Sequence, residues 1–155
     1  MKVVKIVLYV LVALLVAGLL LAPIGPVPGV FIGGTNASPP ETWPDTSDVD
    51  EIRLGVDGTI PRVVIIWVVD VGGELHVVGS RESGWVKMIG DAAPVKMRLA
   101  DNTYPLRAVR ITEGFEEILT AYIAKYEAEY PEIVASFPAV EEARDSVGVF
   151  RLERN

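Results

Sequence analysis

The run RVVIIWVV at residues 62–69 constrains the fold of this chain more than any other stretch of its sequence. After Arg62 the run is apolar without a break and rich in β-branched residues. This predicts a strand buried on both faces, as in a barrel or a covered sheet. The turn VGG at residues 71–73 leads into ELHVVG at residues 74–79, so we predict a β-hairpin here.

The rest of the chain adds strands and helices in an order that suits a barrel. Four further strands are predicted, at residues 51–56, 95–99, 104–112 and 147–152. Three helices are predicted, at residues 85–89, 113–130 and 139–145, and the middle one has apolar residues at spacings of three and four. Because consecutive hairpins dominate, we predict a mainly β fold with helices, an α+β fold built on a small antiparallel β-barrel.

The amino-terminal segment is apolar. Residues 6–22 (IVLYVLVALLVAGLLLA) carry no charge, and Lys2 and Lys5 precede them. We expect a transmembrane anchor within residues 1–22, with the N-terminus in the cytoplasm and the domain extracytoplasmic. A cleaved signal peptide begins in the same way and remains the alternative, although its apolar region is usually shorter.

Composition limits the chemistry that the chain can perform. Residues 23–48 are rich in Pro and Gly and predict a spacer, which leaves residues 49–155 as the folded domain. The chain has no Cys and one His, which excludes disulfides, thiolate metal sites and multi-histidine metal sites. Its net charge is −7, yet residues 53–111 hold eight Lys or Arg and six Asp or Glu. This distribution favours an anionic small ligand in the middle segment and argues against nucleic acid as the main partner.

The nine-residue stretch GSRESGWVK collects the groups that an anion such as a phosphate needs. Arg81 and Lys87 supply positive charge, and a guanidinium can bind an anion bidentately. Ser80 and Ser83 supply hydroxyl donors, and Ser83-Gly84 precedes the predicted short helix, whose first backbone N–H groups are free. We therefore predict an anion site at this point.

Simpler structural roles compete with each functional one. The stretch could equally form a strand-to-helix turn with Ser83 as N-cap and Trp85 in the core. His76 is expected to line the barrel or face solvent rather than donate a proton. Lys96 and Arg98 share one face of their strand, where they are either solvated or an extension of the anion pocket. No Ser-His-Asp, paired-carboxylate or metal-ligand pattern stands out, so hydrolysis is disfavoured and no catalytic residue or metal is predicted.

The segment from Arg62 to Ile111 resembles the core of the flavin-binding split β-barrels, the superfamily of pyridoxamine 5′-phosphate oxidase and the deazaflavin-dependent nitroreductases. The matching elements are Arg62-Val63-Val64, the Gly72-Gly73 turn, Ser80-Arg81, Lys87 and Ala93-Pro94-Val95. Trp85 also resembles the Trp that follows this strand in the deazaflavin branch.

This resemblance implies a split barrel that holds the phosphate of FMN or a deazaflavin coenzyme through Arg62, Ser80, Arg81 and Lys87, often across a homodimer interface. It implies a nitroreductase-like oxidoreductase that transfers hydride or electrons to a small acceptor, with the cofactor carrying the reaction. The alternative is a non-catalytic extracytoplasmic module for binding or assembly on the same fold.

Overall fold

The computed structural model describes residues 2–154, without the side chains of residues 19 and 20. Its elements follow one another along the chain as α1 (Lys2–Leu21), β1 (Thr35–Asn36), β2 (Glu51–Val56), β3 (Arg62–Val71), β4 (Glu74–Ser80), α2 (Gly84–Ile89), β5 (Ala92–Leu99), β6 (Asn102–Arg110), α3 (Phe115–Tyr126), α4 (Pro131–Val134), a 3₁₀ turn (Ala143–Asp145) and β7 (Val147–Arg154).

Six of the strands form a closed antiparallel barrel. Their order is β6-β5-β2-β3-β4-β7, and pairing between β6 and β7 closes the ring. The two-residue strand β1 adds to the start of β6 in parallel. The small antiparallel barrel and the mixed α+β class that the sequence predicts are therefore present.

Alternation along the strands divides the apolar residues between two clusters. Inside the barrel lie residues such as Leu54, Val77 and Phe150, all fully buried. The second cluster lies outside the wall made by β3, β4 and β7, where helix α3 packs its apolar stripe through residues such as Leu119 and Tyr122. Because β3 faces a cluster on each side, its sequence lacks a polar face, as predicted for a covered strand.

The helices differ from their predicted bounds. The helix predicted at residues 113–130 begins at Phe115 and ends at Tyr126, and Pro131 begins the separate short helix α4 instead of only ending the longer one. Proline suits the first turn of a helix because its missing N–H has no intrahelical acceptor there. The helix predicted at residues 139–145 is reduced to the 3₁₀ turn.

Part of the predicted spacer belongs to the folded domain. Trp43 is 5% exposed, lies in the barrel cluster and meets the Tyr104 ring edge-on at 5.3 Å between centroids. Thr46 is buried as well. The segment before residue 49 therefore covers one side of the barrel, and burial of a large aromatic ring holds it there.

The predicted transmembrane helix at residues 6–22 is wrong. In the part of the chain that the structure describes, no helix is long and apolar enough to cross a membrane. Helix α1 includes Lys2 and Lys5 and ends at Leu21. Its uncharged part, residues 6–21, covers about 24 Å at 1.5 Å per residue, against about 30 Å of hydrocarbon core. The predicted contact with a membrane through residues 6–22 depended on this helix and is therefore not supported. The extracytoplasmic location of the domain stays a prediction.

Candidate functional site

Arg81 follows the last residue of strand β4, where that strand pairs with the start of β7. The Arg81 backbone N–H donates to the carbonyl of Ser146 at 2.9 Å, and its Nε donates to the carbonyl of Val147 at 3.1 Å. Among the described residues it makes no ion pair. Its guanidinium is thus fixed through Nε, while the N–H groups of its two terminal nitrogens remain available to bind a ligand.

A groove of about 480 Å³ lies beside Arg81, and we call it the basic groove. It is lined by Arg81, Val86, Lys87, Gly90, Asp91, Arg110 and Thr112. Helix α2 contributes Lys87 and Val86, and strand β6 contributes Arg110 at its carboxyl end. The structure therefore brings the two predicted cations, Arg81 and Lys87, into one groove and adds a third that the sequence did not single out.

Arg110 is the most fixed of the three cations. Its Nε and Nη2 both donate to the carbonyl of Gly90, at 3.0 and 2.8 Å, and its guanidinium lies 4.9 Å from the centre of the Phe150 ring. Asp91 lies 3.6 Å from its Nε but is fully exposed. Solvent screens that carboxylate, so the groove keeps a positive character.

Lys87 has a partner of its own. Its Nζ lies 2.7 Å from Oε2 of Glu82, and both side chains are exposed. The hydrogen bond from Lys87 lowers the pKa of the Glu82 carboxyl, and the charge of Lys87 acts in the same direction. Exposed pairs of this kind contribute little to stability, so Lys87 can exchange Glu82 for another anion.

The other predicted residues lie around this groove rather than in it. Arg62 packs on the start of α2, where a Cβ at Gly84 would lie 2.9 Å from Cζ of Arg62. The Ser83 hydroxyl donates to the carbonyl of Ser80 at 2.5 Å and does not cap the helix. Ser80 lines a different pocket, described below. These four residues do not line the basic groove.

Trp85 belongs to the barrel core. Its ring is 5% exposed and lies 5.7 Å from the ring of Phe150. A Cβ on Gly79 would overlap Cζ2 of Trp85, so residue 79 must be glycine for this ring to fit. The structural role that the sequence allowed for Trp85 is the one it has.

A second pocket, the apolar cavity, lies on the outer side of the barrel wall. Its volume is about 510 Å³, within the range of small-molecule sites. It is lined by Val78, Gly79, Ser80, Leu119, Tyr122, Ile123, Ser136, Phe137, Pro138, Val140, Ala143, Ser146 and Val147. None of these side chains is charged. Ser80 lines this cavity and Arg81, the next residue, lines the basic groove, so the two sites adjoin along the chain.

Sequence patterns missed two residues of these sites. Arg110 was counted only in the positive charge of the middle segment, since its place beside Arg81 depends on the pairing of β6 with β7. Tyr122 was read as part of an apolar helical stripe, which it is, but it also lines the apolar cavity. Lys96 and Arg98, left open by the sequence, do not line the basic groove.

A six-stranded antiparallel barrel with a short helix after its third strand and a long helix outside its wall defines a split β-barrel. No family model matches this chain, and no curated protein matches it either. Several solved structures do match. The FAD and heme binding protein from Mycobacterium smegmatis aligns with a TM-score of 0.50 and 12% identity, over 70% of this chain and 62% of that one. This chain thus spans less than two thirds of the length of that protein.

Two further solved structures match at lower scores. The heme storage protein HutZ from Vibrio cholerae has a TM-score of 0.47 and 16% identity, over 68% of this chain and 82% of its own. A NimC/NimA family protein from Clostridium acetobutylicum has 0.43 and 14%, over 66% and 70%. At these identities the likeness concerns the fold, and the split-barrel fold implied by the sequence resemblance is confirmed.

Proposed function

We propose that the protein binds the phosphate of a flavin-type cofactor, FMN or a deazaflavin, in the basic groove. We further propose a nitroreductase-like oxidoreductase that transfers hydride or electrons to a small acceptor. The observation that carries the proposal is the state of Arg81, whose Nε is fixed by the carbonyl of Val147 while no described carboxylate neutralises it. A fixed guanidinium with free N–H groups is well suited to a phosphate.

The surroundings of Arg81 support an anion of two charges. Arg110 adds a second positive charge that hydrogen bonds to Gly90 hold in place. Lys87 adds a third positive charge. Its ion pair with Glu82 is exposed, so Lys87 can leave Glu82 for a phosphate at little cost in free energy. With the Asp91 carboxylate counted, the groove lining has three positive charges and one negative, a net of +2. A phosphate carries close to two negative charges at neutral pH, which matches this excess.

The cofactor and the protein would have different roles in the proposed reaction. The cofactor, when bound, supplies the redox chemistry, and the protein supplies binding and orientation. Arg81 and Arg110 would fix the phosphate end and so set the position of the ring. The Mycobacterium smegmatis protein of the same fold is an FAD and heme binding protein, which supports a flavin as the ligand. A homodimer that covers the open side of the groove is part of the proposal.

The test is a titration of the full chain with FMN, with a deazaflavin coenzyme and with riboflavin, followed by flavin fluorescence. Riboflavin lacks the phosphate, so we expect FMN to bind at least about tenfold tighter. Arg81→Ala should remove most of that difference and leave riboflavin binding as it was. Arg107→Ala is the matched control, because Arg107 is an exposed arginine on β6 outside the groove.

Three outcomes would contradict parts of the proposal. Equal affinity for FMN and riboflavin, or no binding of any of these ligands, would remove the phosphate site. Binding without turnover of a nitro compound or another small acceptor in the presence of reductant would favour the non-catalytic module. Light scattering that gives the mass of one chain with the cofactor bound would exclude the homodimer.

A further inference from the structure

The apolar cavity has the size and lining of a ligand site that differs in chemistry from the basic groove. Its volume of about 510 Å³ exceeds the roughly 150 Å³ that suffices to hold benzene in an engineered protein cavity. Leu119, Tyr122 and Phe137 supply large apolar surfaces, and no charged side chain lines the cavity. An anion would lose its hydration there without gaining a partner, so the lining favours an uncharged ligand.

One polar group in the lining lacks a partner. Tyr122 is 6% exposed, and its hydroxyl makes no hydrogen bond with the residues that the structure describes. The next two tyrosines in the chain, Tyr126 and Tyr130, differ from Tyr122 because their hydroxyls are hydrogen bonded. Tyr126 bonds to the carbonyls of Val68 and Asp50, and Tyr130 donates to the Asp50 carboxylate at 3.0 Å. The Tyr122 oxygen is not among the described polar atoms that are both fully buried and unpaired, so the hydroxyl is accessible from the cavity and can donate a hydrogen bond to a ligand oxygen.

The other hydroxyls of the lining leave this role to Tyr122. Ser136 donates to the carbonyl of Ile133 at 2.6 Å, and Ser146 donates to the carbonyl of Ala143 at 3.3 Å. Ser80 accepts the N–H of Glu82 at 3.2 Å, and its own O–H has no acceptor among the described residues, but the residue is exposed whereas Tyr122 is 6% exposed. Burial raises the pKa of Tyr122, so its hydroxyl stays protonated and acts as a neutral donor.

We propose that the apolar cavity binds an uncharged, mostly apolar small molecule that presents a ketone-type oxygen to the hydroxyl of Tyr122. The binding itself is independent of the cofactor. In the oxidoreductase proposed above, this ligand would be the acceptor, because Ser80 in the cavity adjoins Arg81 in the basic groove. Only that assignment rests on the proposed function.

A matched set of three bicyclic ligands tests the proposal on the full chain by calorimetric titration. 1-Tetralone has the ring system and the oxygen, tetralin has the ring system alone, and 1,2,3,4-tetrahydro-1-naphthoate carries a charge. We expect 1-tetralone to bind about tenfold tighter than tetralin through one buried hydrogen bond, and the carboxylate to bind weakest. In Tyr122→Phe the preference for 1-tetralone should vanish while tetralin binds as before, because the substitution removes only the oxygen atom.

Several results would overturn the proposal. These are equal affinities of 1-tetralone and tetralin for the wild-type protein, a preference that survives in Tyr122→Phe, or no binding of either ligand. Displacement of 1-tetralone by FMN would also overturn it, since the cavity would then hold the ring of the cofactor. Titration of FMN alone reports on the basic groove, and titration of 1-tetralone alone reports on the cavity, so failure of one proposal is distinguishable from failure of the other.

Discussion

Replacing Tyr126 by Phe tests how much the hydrogen bonds of one buried hydroxyl, which join helix α3 to the barrel, contribute to the stability of the protein. The hydroxyl oxygen of Tyr126 lies 2.7 Å from the carbonyl oxygens of Val68 and Asp50, and it accepts the backbone N–H of Val68 at 3.0 Å. The ring is 1% exposed and stacks on Trp67 with 4.2 Å between centroids. Phe keeps this packing and loses only the hydroxyl.

The size of the effect follows from the groups that lose a partner. The pairing of β2 with β3 ends at Glu51 and Trp67, so the next residue, Val68, has no strand partner on that side. Its buried N–H would be left unpaired, which costs about 1–3 kcal/mol. Its carbonyl keeps the bond from Nζ of Lys125 at 2.9 Å, so the lost donated bond adds only about 0.5–1.5 kcal/mol. We expect the free energy of unfolding to fall by about 2–3 kcal/mol.

Urea denaturation measures this loss, and a second tyrosine provides the control. With a denaturant slope of about 2 kcal/mol per molar, the midpoint should fall by about 1–1.5 M. Tyr122→Phe removes a hydroxyl from the same aromatic cluster, but that hydroxyl has no partner among the described residues, so its midpoint should change by less than about 0.3 M. Equal losses in the two variants, or an unchanged midpoint in Tyr126→Phe, would refute the hydrogen-bond account.

Three further predictions concern the core, pH and the domain boundary. Gly79→Ala should lower the free energy of unfolding by about 1–3 kcal/mol because the added Cβ would clash with Trp85. Adding Trp85→Phe to this variant should recover part of the loss, and thermal unfolding of the single and double variants measures both effects. Burial lowers the pKa of His76 below its usual value of 6.5, so on acidification the unfolded chain binds this proton before the folded protein does. The free energy of unfolding should therefore fall as the pH drops below about 6.5, and in His76→Leu it should not change with pH between 7.5 and 5.5. A chain that begins at residue 49 should be less stable in urea by about 3 kcal/mol or more, since it lacks Trp43, and equal midpoints would contradict the packing of that segment.

Local pattern was sufficient for the barrel strands and the apolar stripe of the long helix, and insufficient for the sites. Strand β2 occupies its predicted residues, and β3 and β4 extend the predicted hairpin by one or two residues, because continuous β-branched runs and a Gly-Gly turn are local signals. The apolar stripe of α3 was predicted from spacing for the same reason. The stretch GSRESGWVK brings Arg81 and Lys87 close together in the chain, and both line the basic groove. It could not show that Arg110 completes that groove from a strand almost thirty residues away in the chain.

Errors arose where a pattern has more than one tertiary outcome. The uncharged stretch at residues 6–22 was judged by its composition, whereas its length as a helix depends on where the chain turns, after Leu21. The spacer at residues 23–48 stays a prediction. Within that stretch Trp43 packs in the barrel cluster, a contact that no local pattern indicates.

The sequence by itself determined the strands, the long helix and the class of fold, because side-chain period and turn residues act over a few neighbouring positions. It also determined that positive charge gathers in the middle of an acidic chain. The tertiary structure alone decided which charges meet. Closure of the barrel sets β6 beside β7 and so places Arg110 near Arg81. The packing of α3 against β3 and β7 leaves a cavity that Tyr122 helps to line. Such juxtapositions depend on contacts between residues far apart in the chain, which no local pattern records.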